Sequence, residues 1–408
     1  MTRSGLYKSN NKSLLLGFVA TCGSFIASTV NCLAVNLTDT IQVHGFASQT
    51  FIHTSKNHFF GDSDSGGSLD FREIGLNGSM QITADLHIFG QLISRRAGQS
   101  DDGDIQLDYG VIDYNFYSQE NSRASLRLGR VKIPYGFYNE TRDVPVTRPS
   151  VFLPQSIYFE RTRNLTLSAD SLLFAGAYRT NAGEVSFEFG GGSPNVDDAD
   201  IEHFVFDKDL PGKLREDISY AGKIQYQENN ERYRVSLTRS QLNMKYKQAG
   251  VTGEPAPGKI NFTPWIASLQ INDEFWSVTM EYARRKTSLD GFNNTQLDRT
   301  ITGESYYIQG RYRFLKSLEA IIRYDVLYQD IEDRSGTKNA LTREKPRHNY
   351  FAKDWTVGLS WTINRHIQLR SEIHFIDGTG WLPQSDNPDA NETQRRWRLF
   401  ALSATYSF

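Results

Sequence analysis

Cysteine is almost missing from this chain. Of 408 residues only Cys22 and Cys32 are cysteine, and both fall within the first 34. From residue 35 onward there is none, which excludes disulfide scaffolds, thiol catalysis and Cys-ligated metal there. Long apolar runs are missing too: no stretch after residue 34 has the ~18 consecutive apolar residues of a membrane-spanning helix. There is no basic excess. The formal charge is −2, and −5 without residues 1–34, which hold Arg3, Lys8 and Lys12 and no acid. That balance argues against a nucleic-acid partner. The eight histidines are scattered without a metalloprotease-type pair, and no P-loop occurs. No metal or cofactor is therefore expected. No low-complexity linker or composition shift divides 35–408, so one domain is expected there.

The first 34 residues read as a signal peptide. A basic start is followed by the mostly apolar Leu14–Val30 and then Cys32-Leu33-Ala34, with small residues where a signal peptidase reads. A lipobox through Cys22 or Cys32 lacks the leucine three residues earlier.

What fills 35–408 is period-two alternation. Trp355, Val357, Leu359, Trp361 and Ile363 share one face, with Thr356, Gly358, Ser360 and Thr362 on the other. Leu318, Ala320, Ile322, Tyr324 and Val326 oppose Glu319, Arg323 and Asp325. Trp276, Val278, Met280 and Tyr282 oppose Ser277, Thr279, Glu281 and Arg285. Sixteen strands are expected: 40–54, 70–82, 86–95, 105–118, 123–131, 165–178, 184–190, 217–227, 232–246, 264–272, 275–287, 303–314, 318–329, 350–363, 366–377 and 395–408. The connections alternate between short turns and long loops, the latter near 55–69, 96–104, 132–164, 191–216, 247–263, 288–302, 330–349 and 378–394. Of twelve prolines, eleven fall in these loops and Pro264 at a strand start. A closed barrel excludes proline from strand interiors because each proline removes a ladder donor. The pattern predicts an all-β fold: a closed 16-stranded antiparallel transmembrane barrel, apolar toward lipid and polar toward a lumen.

Two stretches resemble known families. The last strand carries Phe400, Leu402, Ala404, Tyr406 and Phe408 on one face. It resembles the closing strand of Gram-negative outer-membrane barrels, where the terminal aromatic serves as assembly signal; that implies the role for Phe400, Tyr406 and Phe408. Gly129-Arg-Val-Lys-Ile-Pro-Tyr-Gly136, after the fifth strand, resembles the pattern at this place in phosphate-selective porins. The resemblance implies an outer-membrane porin whose third long loop, 132–164, folds inward and sets the constriction. It also implies a homotrimer, outer-membrane lipid and lipopolysaccharide as surroundings, and the barrel-assembly machinery as a partner.

Charge gives the expected selectivity. From Arg130 to Arg163 six basic residues stand against Glu140, Asp143 and Glu160, a net of +3. Lys132, Tyr135, Arg142 and Arg148 are expected at the constriction, facing Arg127, Arg311, Arg313, Arg323 and Arg370 on the wall. Cations around a pore favour anions. The other reading of the loop is a solvated surface segment with satisfied ion pairs, and wall arginines paired with carboxylates would only stiffen the barrel. Three functions remain open: a passive pore with anion preference, a substrate-selective channel for phosphate or organic acids, or an outer-membrane enzyme. The third lacks a nucleophile. Gly61-Asp-Ser-Asp-Ser-Gly-Gly67 is similar to a serine-protease loop, but Asp64 interrupts it and no His and Asp accompany it.

Overall fold

The computed structural model describes residues 35–38, 40–196, 198–206 and 210–408. The signal-peptide expectation for 1–34 lies outside the described residues.

Sixteen antiparallel strands form the wall: β1 (Ile41–Thr54), β2 (Ser68–Gln81), β3 (Leu86–Ala97), β4 (Asp101–Gln119), β5 (Ser122–Lys132), β6 (Ser168–Arg179), β7 (Gly183–Pro194), β8 (Ser219–Glu228), β9 (Tyr233–Lys247), β10 (Lys259–Asn272), β11 (Trp276–Asp290), β12 (Arg299–Leu315), β13 (Leu318–Tyr328), β14 (Phe351–Thr362), β15 (Ile367–Gly378) and β16 (Arg396–Ser407). Each pairs with the next, and β16 pairs back onto β1 from Leu399↔Thr54 to Ser407↔Phe46. The ring therefore closes. Two further strands lie against it: Val35–Thr38 on β1, and Lys213–Glu216 on β9. The polar face at the closing seam is small and hydrogen-bonded, with Ser48 Oγ 3.1 Å from Ser403 Oγ and 2.8 Å from Thr405 Oγ1.

The alternation resolves as the two faces of a barrel wall. Trp355, Val357, Leu359 and Trp361 are each about half exposed, while Thr356 between them is 0% exposed. Burial of apolar surface cannot be what orients those tryptophans outward in water; a lipid surround makes sense of them. Val326, in phase with Ile322 along an unbroken ladder, is buried.

Short turns close by local side-chain capping. Asn364 Oδ1 accepts from His366 N at 2.8 Å and Ile367 N at 3.0 Å. Thr83 Oγ1 and Thr180 Oγ1 accept backbone N–H groups two and three residues ahead in their own turns.

Two expectations need correction. The second long connection is not long: β3 ends at Ala97 and β4 begins at Asp101. Both strands run on past the expected apolar band, and Gly98, with φ +56°, makes the tight reversal. Pro264 is not at a strand start either, because β10 begins at Lys259. Its missing N–H shows in the ladder, where the β9–β10 register passes from Arg239↔Trp265 to Leu242↔Phe262.

A hollow barrel has no core of its own. Here the segment between β5 and β6 supplies one. Its Tyr135, Phe137, Tyr138 and Tyr158 pack with Phe262, Ile266, Ala283 and Tyr307 of the wall. Its Val151, Phe152 and Phe159 pack with Phe71, Leu327 and Trp397 of the wall and with Phe59, Phe60 and Trp381 of the loops. The helix Ala199–Phe206 adds Ile201, Val205 and Phe206 to the first cluster.

Candidate functional site

The segment 133–167 carries two short 3-10 turns and one helical turn, Arg163–Leu167, and most of it is buried. Its entry explains the glycines of the Gly129–Gly136 run. Gly129 has φ +125°, and a Cβ there would sit 2.2 Å from the Gly110 carbonyl oxygen of β4. Gly136 has φ +58°, and a Cβ there would sit 2.3 Å from Tyr158 Oη and 2.8 Å from Glu281 Oε1. Only glycine takes both positions without strain.

Hydrogen bonds fasten the segment to the wall in six places. On β2, Glu73 takes both guanidinium nitrogens of Arg148, at 2.5 and 2.8 Å. On β3, Arg95 Nη2 donates to Glu160 at 2.5 Å. On β8, Lys223 donates to Glu140 at 2.9 Å. On β11, Glu281 accepts from Phe137 N at 2.9 Å and from Tyr158 Oη at 2.7 Å. On β13, Asp325 accepts from Ser156 N at 3.2 Å, and Arg323 donates to Ser150 Oγ at 2.9 Å. On β15, Glu372 accepts from Val151 N and Phe152 N, both at 3.0 Å, and Arg370 donates to the carbonyls of Pro145 and Val146. β3 and β11 stand opposite one another in a ring of sixteen. A segment bonded to both lies across the interior.

Wall carboxylates thus hold backbone N–H groups, and wall arginines hold backbone carbonyls. These bonds pair buried polar groups of the segment with buried polar groups of the wall, as burial favours.

Charges within the segment are set by these partners. Burial works against the Glu160 charge, but Arg142, Arg95 and Arg163 outweigh it and hold the carboxyl at about 2. Asp143 is buried as well; Arg163 and Lys132 hold it well below the usual range. Burial raises Tyr158 well above 10, and the Glu281 carboxylate beside it raises it further. Burial lifts Tyr135 to about 12.

The expected site residues divide accordingly. Lys132 lies between Asp108 and Asp143. Arg142 donates to Glu160 at 3.0 Å and to the carbonyls of Tyr158 and Phe159. Arg148 is paired with Glu73. Arg127 meets Asp113 and Glu188, and Arg311 meets Glu319 through two nitrogens. Tyr135 is buried in the aromatic cluster. Arg313 pairs in register with Glu319 two residues from the end of β12, at the short turn, and does not join the others. Arg323 and Arg370 meet oxygen atoms of hydroxyls, amides and carbonyls.

Several contributors were not expected. Glu73, Arg95 and Asp108 face the interior at positions whose neighbours Ile74, Leu92 and Leu107 are exposed outward. Alternation on β2 and β3 was the signal for the first two. Asp108 stands beside an irregularity in the β3–β4 register, which shifts face and hides it from a simple alternation.

No protein-family model and no curated protein matches the chain. Solved structures do. An anion-selective porin from Comamonas acidovorans is 13% identical, with a TM-score of 0.58 over 90% of this chain and 99% of that one. The outer-membrane channel DcaP of Acinetobacter baumannii is 12% identical, with a TM-score of 0.56 over 90% and 97%. OmpF of Salmonella typhi, solved with daunomycin, is 14% identical, with a TM-score of 0.56 over 92% and 100%. The chain has the fold of the 16-stranded outer-membrane porins.

Proposed function

We propose that the chain is a passive pore for small hydrophilic solutes, narrowed by residues 133–167 and mildly selective for anions. The observation that carries this reading is the segment bonded to opposite sides of the barrel wall, from β3 to β11. A narrow passage lined by charge strengthens each charge beyond its value in bulk water.

The ion pairs narrow the set of residues that supports this bias. Lys132, Arg142, Arg148, Arg127 and Arg311 each have a carboxylate at pairing distance. Among the described residues, no carboxylate lies at that distance from Arg285, Arg323 or Arg370. Those three support the anion preference, and Glu281 and Asp325 on the same wall temper it. A selective channel for phosphate or organic acids would want a row of such cations along the path; a diffusion pore needs only a bias. The reading includes no catalysis. Ser63 of the Gly61–Gly67 run is buried, its hydroxyl held by Thr54 Oγ1 at 2.8 Å and Phe59 N at 3.0 Å. Signal cleavage near residue 34, a homotrimer, and contacts with lipopolysaccharide and the assembly machinery belong to the same proposal.

The test is reversal potential in planar bilayers under a salt gradient. Wild type should favour anions. Arg323→Gln with Arg370→Gln should shift selectivity toward cations. Cation preference in wild type, or no shift in the double variant, would overturn the anion reading; no conductance at all would overturn the pore.

A further inference from the structure

The pore reading leaves one wall cluster unused. His374 of β15 is 2% exposed, and its two ring nitrogens each face a carboxylate. Nδ1 lies 2.6 Å from Asp354 Oδ2 on β14, and Nε2 lies 3.0 Å from Glu372 Oε1. Thr356 Oγ1 is also 3.1 Å from Nδ1 and within reach of Arg323. A neutral imidazole donates from one nitrogen only. Carboxylates on both sides select the imidazolium, which donates to each.

Glu372 is where this matters. Its two oxygens accept Val151 N and Phe152 N, the hydrogen bonds that hold the far tip of the segment against β15. Among the described residues, His374 is the one cation at ion-pair distance from Glu372. Take the imidazole away and a buried carboxylate loses its one counter-charge at ion-pair distance, with Arg323 acting only from further off. It would gain a proton or turn, and either change weakens its hold on two backbone N–H groups.

We propose that His374 is a positioning residue for the constriction. Acting through Glu372, and itself oriented by Asp354, it fixes where the 150–153 tip sits. The proposal rests on the reading of 133–167 as the constriction.

Residues 35–408 hold no cysteine, so in a barrel that starts at residue 35 one introduced thiol is unique. Val151→Cys places it at the tip, on a residue that is 4% exposed. Ser156→Cys places it where Asp325, not Glu372, holds the chain. Each is made in the detergent-solubilised barrel and labelled with a charged methanethiosulfonate, the rate being followed by mass. Adding His374→Gln should speed labelling of the tip thiol about tenfold or more, and leave the Ser156→Cys thiol unchanged. Asp354→Asn should act in the same direction. Asp354 bonds His374 and Thr356 and, among the described residues, not the segment, so it separates a relay from a direct contact of the imidazole with Phe152. Should His374→Gln fail to fold, Asp354→Asn carries the same comparison. Unchanged tip labelling in both variants, or equal acceleration at both thiols, would overturn the proposal. Labelling needs no conductance, so a barrel that conducts nothing sinks the pore reading and leaves this test standing.

Discussion

Replacing Glu160 by glutamine keeps the shape and removes the charge. Glu160 accepts from Arg142 Nη2 at 3.0 Å and from Arg95 Nη2 at 2.5 Å. Those arginines, with Arg163, hold its carboxyl at about 2 against an ordinary 4.5. A carboxyl whose proton affinity is lowered by folding stabilises the folded form wherever it is ionised. The contribution is complete above the unfolded value of 4.5, shrinks as pH falls toward 2, and is gone below it. The interval corresponds to about 3 kcal/mol at neutral pH. Glutamine imitates the protonated form, so Glu160→Gln should lose that amount at pH 7 and far less at pH 3.

The loss belongs to the segment and not to the wall, whose strands keep their ladders. Amide hydrogen exchange resolves the two. The amides to follow are Val144, bonded to the Thr141 carbonyl at 3.0 Å, and Tyr158, bonded to Pro154 at 2.9 Å. At pH 7 both should exchange about 300-fold faster in the variant than in wild type, and at pH 3 about tenfold faster. Wall amides should not change. An acceleration below about fivefold at pH 7, or the same ratio at both pH values, would refute the electrostatic account of how this segment is held.

Arg148→Ala should destabilise the barrel by about 3–5 kcal/mol, because it leaves buried Glu73 with Arg95 Nε at 3.7 Å as its remaining partner; Arg148→Met with Glu73→Gln should cost clearly less in urea titrations. Gly136→Ala should displace Tyr158 from Glu281, given the 2.3 Å approach to its hydroxyl, and lower the midpoint of thermal unfolding; an unchanged midpoint counts against the close approach. Phe408 exchanges backbone hydrogen bonds with Gly45, and its ring lies over that glycine; deleting it should reduce the amount of folded, heat-modifiable barrel in outer membranes while leaving the conductance of the remaining channels intact.

The wall was legible because two independent constraints act on every strand at once. Lipid asks for apolar side chains on alternate residues, and closure asks for short turns at one end. Trp355, Val357, Leu359 and Trp361 satisfy the first, and the Asn364 and Thr180 turns the second. The misreadings sit where one constraint lapses. Val326 is apolar and in phase with Ile322, yet buried, its cross-strand partners being the long side chains of Tyr306 and Lys353. Around Ala97 and Asp101 the strands continue beyond the expected band, and alternation there has no lipid to enforce it. Pro264 is tolerated inside β10 because the ladder toward β9 skips it while that toward β11 continues through Pro264↔Arg285.

The interior was legible only as a parity. Alternation tells that Glu73, Arg323 and Glu372 face inward; it does not tell what each meets there. Arg148 finds Glu73 across a separation of 75 residues, and Phe137 finds Glu281 across 144. Those meetings decide the electrostatics. Counted along the chain, the stretch from Arg130 to Arg163 carries a net +3. In the barrel, Arg142, Arg148 and Lys132 each face a carboxylate, two of them supplied by the wall. The field felt by a passing ion is therefore that of paired dipoles plus the few charges with neutral partners. On the proposed reading, selectivity would rest on Arg285, Arg323 and Arg370, whose positive charge is held against carbonyl, hydroxyl and amide oxygens. A count of arginines overstates the anion bias of such a pore, and the pairing sets its true size.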